Sequence, residues 1–443
     1  MNAEIRPIRT TAEQGLAEAF SRVKATLPGA KAIAALREKA FSEFEARGLP
    51  HRRVEEWKYT DLRALMRDAK PLAAPPDAKA KERAKAADVL VGDIDCRRIV
   101  FVDGAFAPDL SDLAGLESGL TIRSMAEALS QGDALVGAHL GKAVATDDVA
   151  VALNTAFMGD GAVIRIAEGI VVEHPIHLVF VAAGDKPAAN FTRSLVVVER
   201  GARAMLVESY VGPAGHDYQV NSALELVISD NAHVDHIKLI GEGANALHIS
   251  SLMANVGAHA RFNDFTFTTG GQTVRNQLFV RFTGQETIAR IHGANLLKGR
   301  QHADTTLVAE HAVGHCQSRE LFKSVLDGES RGVFQGKIIV QQHAQKTDAK
   351  MLANALLLSE TAEADAKPEL EIFADDVVCG HGATAGALDD DLLFYLKARG
   401  IPQQEAEALL IQAFVGDAVE GIEHAGLREV LMESVAAWLA ARG

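Results

Sequence analysis

From Gly161 onward, short runs rich in β-branched and other apolar residues return at a near-constant interval. They begin near Ser194 (SLVVVE), Ser222 (SALELVI), Ile249 (ISSLMAN), Gln277 (QLFVRF) and Thr305 (TTLVAE), with successive starts 28, 27, 28 and 28 residues apart. In the first four units a polar or glycine turn (Gly201, Asp230-Asn231, Gly257, Gly284) leads into a second run, starting at Ala204, His233, His259 and Thr287. A strand-turn-strand unit of this kind cannot bury its own apolar face, so its copies must stack. The pattern predicts a parallel β-helix, one coil per unit, with equivalent strands forming parallel ladders around a dry interior. An antiparallel sandwich is the competing arrangement, but its turns fall about every 8–12 residues and need no fixed period. An open coil end would expose strand edges, so flanking helices or a partner's matching end must cover it.

Either side of this β region the period becomes helical. Leu16, Phe20 and Val23, then Ile33, Leu36, Phe41 and Phe44, predict a helical hairpin over 10–47, broken at Pro28-Gly29 and ended by Gly48. Trp57 and Tyr59 flank Lys58 and serve better to anchor one part of the chain on another than as a ligand platform. Lys70 to Asp88, rich in Pro, Ala, Lys and Asp, is expected to be a linker. Ile99 to Val102 and the Asp103-Gly104 turn open the β-structure, and helices interrupt it near 125–140 and 151–157. After Gly382, Asp389 to Asp391 start a helix that Gly400 ends; Pro402 opens a second, and a third spans 427–439 with Trp438. Their apolar faces are expected to pack inward. The chain thus divides into an N-terminal helical domain and linker (1–95), a β-helix core (96–386) and a C-terminal helical domain (387–443).

Composition narrows the function. A formal charge of -14 disfavours nucleic acid and anionic membrane surfaces as partners. No apolar run is long enough to span a membrane, and Met1 to Arg6 has no signal-peptide apolar core, so the expected location is cytoplasmic. Cys96, Cys316 and Cys379 are too few and too scattered for a disulfide framework, and three thiols cannot supply the four of an all-cysteine cluster. The chain has no G-x-x-x-x-G-K-[ST], hence no ATP site of its own of the P-loop kind, and neither a G-x-S-x-G nor a dinucleotide fingerprint.

The candidate chemistry lies in Asp375-Asp376-Val377-Val378-Cys379-Gly380-His381-Gly382. On a strand, Cys379 and His381 share a face, pairing a soft sulfur with a borderline nitrogen suited to iron, zinc or an iron-sulfur cluster. Two ligands do not close a site; a partner must supply the rest, or the pair is a packed Cys beside a structural His. His311, His315 and Cys316 invite a zinc reading, but Ala312 stands where the metalloprotease helix needs Glu. His343 reads as a hydrogen-bonded coil residue.

Five blocks carry a resemblance: GLPHRRVEEWKYTDL (48–62), HCQSRELFKSVLDGESRGVFQGKIIV (315–340), AQKTDA (344–349), PELEIFADDVVCGHGATAG (368–386) and LFYLKARGI (393–401). In this order they resemble the SufB/SufD family of the SUF iron-sulfur cluster assembly system, and the Cys-x-His and short N-terminus favour its SufD branch. The resemblance implies a right-handed parallel β-helix between helical end domains, in a non-catalytic scaffold subunit. It further implies a SufB partner, a SufC ATPase docked on the helices after about 387, and His381, with Cys379 beside it, facing SufB. Iron or a transient iron-sulfur cluster would be shared there. A homodimer of the isolated chain, a purely structural role without metal contact, and a β-helix carbohydrate-active enzyme are the alternatives.

Overall fold

The computed structural model describes residues 9–87, 89–91 and 94–442. Met1 to Arg6, Asp88 and Gly443, which figure in the sequence reading, lie outside the described residues. The predicted hairpin is present as α1 (Thr11–Val23) and α2 (Lys31–Arg47), the first closed by a Thr10/Glu13 capping box and the second by Gly48 at φ +71. A short helix α3 (Leu62–Leu65) follows. The supposed linker instead contains α4 (Ala78–Lys85), capped by Asp77, and its Leu72 bridges to Ala189. Ala80 and Ala84 sit against Val100, Val102, Val179 and Val181, because small side chains let the helix approach the sheet closely. Composition hid this contact.

Strands β1 (Arg97–Val102) and β2 (Ala105–Phe106) form the hairpin around Asp103-Gly104. Then come β3 (Leu120–Ser124), α5 (Met125–Gln131), α6 (Ala134–His139) and α7 (Val149–Phe157). Eight coils follow, each of two strands. They are β4 (Ala162–Ile166) with β5 (Ile176–Val181), β6 (Ala188–Val198) with β7 (Arg203–Val211), β8 (Tyr218–Ile228) with β9 (His233–Gly241), and β10 (Leu247–Val256) with β11 (Arg261–Thr268). The remainder are β12 (Thr273–Phe282) with β13 (Ile288–Leu297), β14 (His302–His311) with β15 (Gln317–Leu326), β16 (Arg331–Val340) with β17 (Asp348–Leu357), and β18 (Glu363–Ile372) with β19 (Val378–Gly386). From β4 onward even-numbered strands stack into one parallel sheet and odd-numbered strands, together with β1, into the other; at the N-terminal end β2 pairs antiparallel with β1 and β3 antiparallel with β4. The chain is therefore the β-solenoid that the repeat predicts.

Six successive coils, from β6–β7 to β16–β17, turn their first corner at one left-handed residue: Gly201, Asn231, His259, Glu286, His315 and Lys346 have φ between 53° and 65°. Such a corner aims a backbone N–H along the stack, as Asn231 to Ala258 O at 2.7 Å and His315 to Gln345 O at 2.9 Å show. Side chains alternate between interior and exterior. Phe101, Phe180 and Tyr210 form an interior ladder with ring centroids 4.9 and 4.7 Å apart.

Both outer faces are partly covered. The hairpin α1–α2 and α7 pack with Ile249 on the even sheet, and two C-terminal helices, below, cover Ile237, Phe265 and Val325 on the odd sheet. Trp57 is buried at the first of these contacts: its Nε1 donates to Asp148 at 2.9 Å, and the Arg275 guanidinium lies 3.9 Å from its ring centroid. Trp57→Phe is expected to lower stability by about 1–2 kcal/mol through the lost hydrogen bond and weaker stacking. An unshifted urea midpoint would place the anchor elsewhere.

Three helices end the chain: α8 (Asp390–Ala398), α9 (Gln403–Val419) and α10 (Ala425–Ala440). The last two pack inward through Ile411, Val415, Leu431 and Val435. Against expectation α8 does not, leaving Phe394 at 73% exposure with Leu392 and Tyr395 also exposed. Among the described residues α8, which stands beyond the last coil, meets mainly α9.

Candidate functional site

Cys379 and His381 lie on β19, the last strand of the odd sheet, hydrogen-bonded to β17 on one side and open on the other. In register Cys379 follows Ala349, and His381 follows Met351; both predecessors are buried interior residues. The pair therefore faces inward at a level where no further coil closes the interior. Cys379 is half-buried against the core, whereas His381 is exposed.

Burial pushes the Cys379 thiol up from its ordinary value, and the charges of Asp348 and Glu320 add to this against a backbone hydrogen bond near Ala349. The thiol is thus protonated at neutral pH, and a cation placed on the sulfur would be needed to make it a thiolate. Soft sulfur and imidazole nitrogen suit iron or an iron-sulfur cluster, but they are only two donors. Among the described residues no third His, Cys, Asp or Glu donor joins them.

The edge is built for approach. β18 carries Pro368, which cannot donate to a further strand, and the charges Glu363, Asp365, Lys367, Glu369 and Glu371. β19 has no such guard among its residues (VCGHGATAG). A Cβ added at Gly380 or Gly386 would meet nothing within 4 Å, so these glycines leave open space on the strand. Around it Val378 (61%), Phe373 (59%), Leu352 (49%) and Ile372 (39%) are exposed, a concentration of apolar surface that marks an interaction face.

The other singled-out residues do not join this site. His311 is buried, stacked on Phe282 and within 3.1 Å of Ser318 Oγ, while His315 occupies its left-handed corner and Cys316 turns into the core. They are structural and do not form a zinc centre. His343 is exposed in a turn, and Cys96 and Cys316 are free thiols.

Sequence reasoning missed Glu320. It sits in the same inward column, one step before Met351 and two before His381, with both carboxyl oxygens buried and without hydrogen-bond partners. Burial raises its carboxyl to about 7. The strand alternation Ser318, Glu320, Phe322 signals an inward acid once the coil register is known.

These features define a parallel β-solenoid with helical covers whose last coil is left open, carrying a Cys-x-His pair on an unguarded strand. Residues 11–178 match the SufBD protein N-terminal region and residues 180–414 match the SUF system FeS cluster assembly SufBD core domain. The chain belongs to the SufBD family of iron-sulfur cluster assembly proteins. It is 32% identical to the iron-sulfur cluster assembly protein SufD of Escherichia coli over 88% of this chain and 89% of that one. It is 33% identical to a SufBD family protein of Synechocystis over 87% of each. The SufD protein of Bacillus subtilis is 28% identical over 64% of this chain and 65% of its own length. Among the described residues no helix is long and apolar enough to cross a membrane.

Proposed function

We propose that the chain is a cytoplasmic scaffold subunit of an iron-sulfur cluster assembly complex, with no catalytic step of its own. Its last coil pairs with the open coil of a SufB paralogue along β19, and iron or a nascent cluster is the cargo held at that junction. His381 contributes the principal ligand and Cys379 a second, with the remaining donors on the facing chain. The C-terminal helices dock a SufC-type ATPase, whose nucleotide cycle moves the two solenoids against each other; the exposed face of α8 fits that contact. The observation that supports this reading is the unguarded strand itself, which carries Cys379 and His381 where, among the described residues, no further His, Cys, Asp or Glu donor joins them. A second copy of this chain could use the same edge when its partners are absent.

His381→Ala in the complex co-expressed with its SufB and SufC partners is expected to lower bound iron at least about tenfold, the size of loss that weakened metal ligation gives. Size-exclusion elution should not change, because an exposed side chain adds little to a strand interface. Iron counts and the visible spectrum of the isolated complex read the result. Wild-type iron content with intact assembly would remove the ligand role and leave a purely structural subunit.

A further inference from the structure

We propose a second metal site, independent of the last coil and of the assembly reading, formed by His233, Asp235 and Glu423 for a divalent ion of the zinc class. His233 and Asp235 lie two residues apart on the outer face of β9, and Glu423 lies in the turn between α9 and α10. Among the described residues these three alone bring His, Cys, Asp or Glu donor atoms together, all within 4.8 Å of one another. His233 Nε2 is 3.5 Å from Asp235 Oδ2 and 3.9 Å from Glu423 Oε1. Donors around a tetrahedral zinc at about 2.0–2.2 Å stand roughly 3.3–3.6 Å apart, so both imidazole–carboxylate separations are within a few tenths of an ångström of a ligand set, and the spread of up to 4.8 Å across the three atoms closes with a side-chain shift of about 1 Å.

The arrangement around these atoms is that of oriented ligands. Asp235 Oδ1 accepts from Asn263 Nδ2 at 2.8 Å, and Glu423 Oε2 accepts from Arg203 Nη2 at 3.0 Å. Each carboxylate is thereby held by one oxygen and turns the other toward the imidazole, as outer hydrogen bonds do at metal centres. His233 Nε2 is buried and makes no hydrogen bond, although buried polar atoms are normally satisfied. Arg203 also balances part of the acidic charge. One nitrogen, two carboxylate oxygens and a position left for water suit zinc or a similar borderline ion better than magnesium, which favours six oxygens. A bound ion would tie the α9–α10 turn to the solenoid and so fix the C-terminal helices on the odd sheet.

Calorimetric titration of the full chain with zinc sulfate tests this, comparing wild type with His233→Gln, Glu423→Gln and Cys379→Ser. One ion should bind the wild type and Cys379→Ser alike, with affinity at least about tenfold weaker in the other two. Zinc in excess should raise the melting temperature of wild type and not of Glu423→Gln, a partly exposed turn substitution that leaves the fold intact. A cobalt(II) complex should show visible bands without thiolate charge transfer. Absence of binding at millimolar zinc, retention in both site variants, or loss in Cys379→Ser overturns the site.

Discussion

Replacing Glu225 with alanine should destabilise the protein by about 3–5 kcal/mol, the cost of leaving a buried charge without its partner. Arg193 and Glu225 have side chains 2% and 1% exposed, and Glu225 Oε1 accepts from Arg193 Nε at 3.0 Å and Nη2 at 2.7 Å. The same carboxylate accepts the backbone N–H groups of Gly141 (2.8 Å), Lys142 (3.1 Å) and Ala143 (3.3 Å) in the segment after α6. Alanine removes all of these acceptors at once. The double variant Arg193→Met/Glu225→Leu takes away both charges and should recover part of the loss. It still orphans the three N–H groups, so roughly 1–3 kcal/mol should remain. Urea midpoints of the two variants measure the difference. A loss below about 1 kcal/mol for Glu225→Ala would mean that water reaches this pair.

Glu320→Gln should stabilise the protein at pH 8 by up to about 3 kcal/mol and have little effect near pH 5. The carboxyl titrates near 7 in the fold, against 4.5 ordinarily, because burial outweighs the opposing effects of Ser318 and Arg319. A raised folded value means that the native state holds the proton more tightly. Its contribution is fully present below pH 4.5 and lost as pH rises through 7. Glutamine keeps the shape without the charge, so wild-type and variant urea midpoints should diverge upward from pH 5. Parallel pH profiles would show that Glu320 reaches solvent. Since the Glu320 charge also pushes Cys379 up, the variant should alkylate faster at Cys379 at pH 8.

Much of the fold was legible. The repeat of 27–28 residues registers the coils because equivalent strands must stack, and five of the solenoid's eight coils carried it visibly. Of the others, the first has short strands (β4 and β5) and the last a polar one, β18 with Pro368 and five charges, and the position of these two coils at the ends of the stack explains this. α4 was hidden because Ala and Lys read as solvated until a sheet lies beneath them. His315 drew attention as a metal ligand when its role is a corner shared by unrelated residues, from Gly201 to Lys346, whose common property is backbone geometry. His233 and Glu423 could not be paired by spacing, since the helices bring them together across most of the solenoid.

The sequence by itself determined the period, the faces of the strands, the helical ends and the family likeness, since these depend on alternation and repeat alone. Tertiary structure decided exposure. Arg193 and Glu225 occupy outward positions of the kind charges take in water, and α6 and α7 seal them. Glu320, Met351 and His381 follow one inward column, yet Glu320 is sealed and His381 is open because coils cover the first and none covers the last. Alternation fixes the face a side chain takes; what packs against that face comes from elsewhere in the chain, or from another chain.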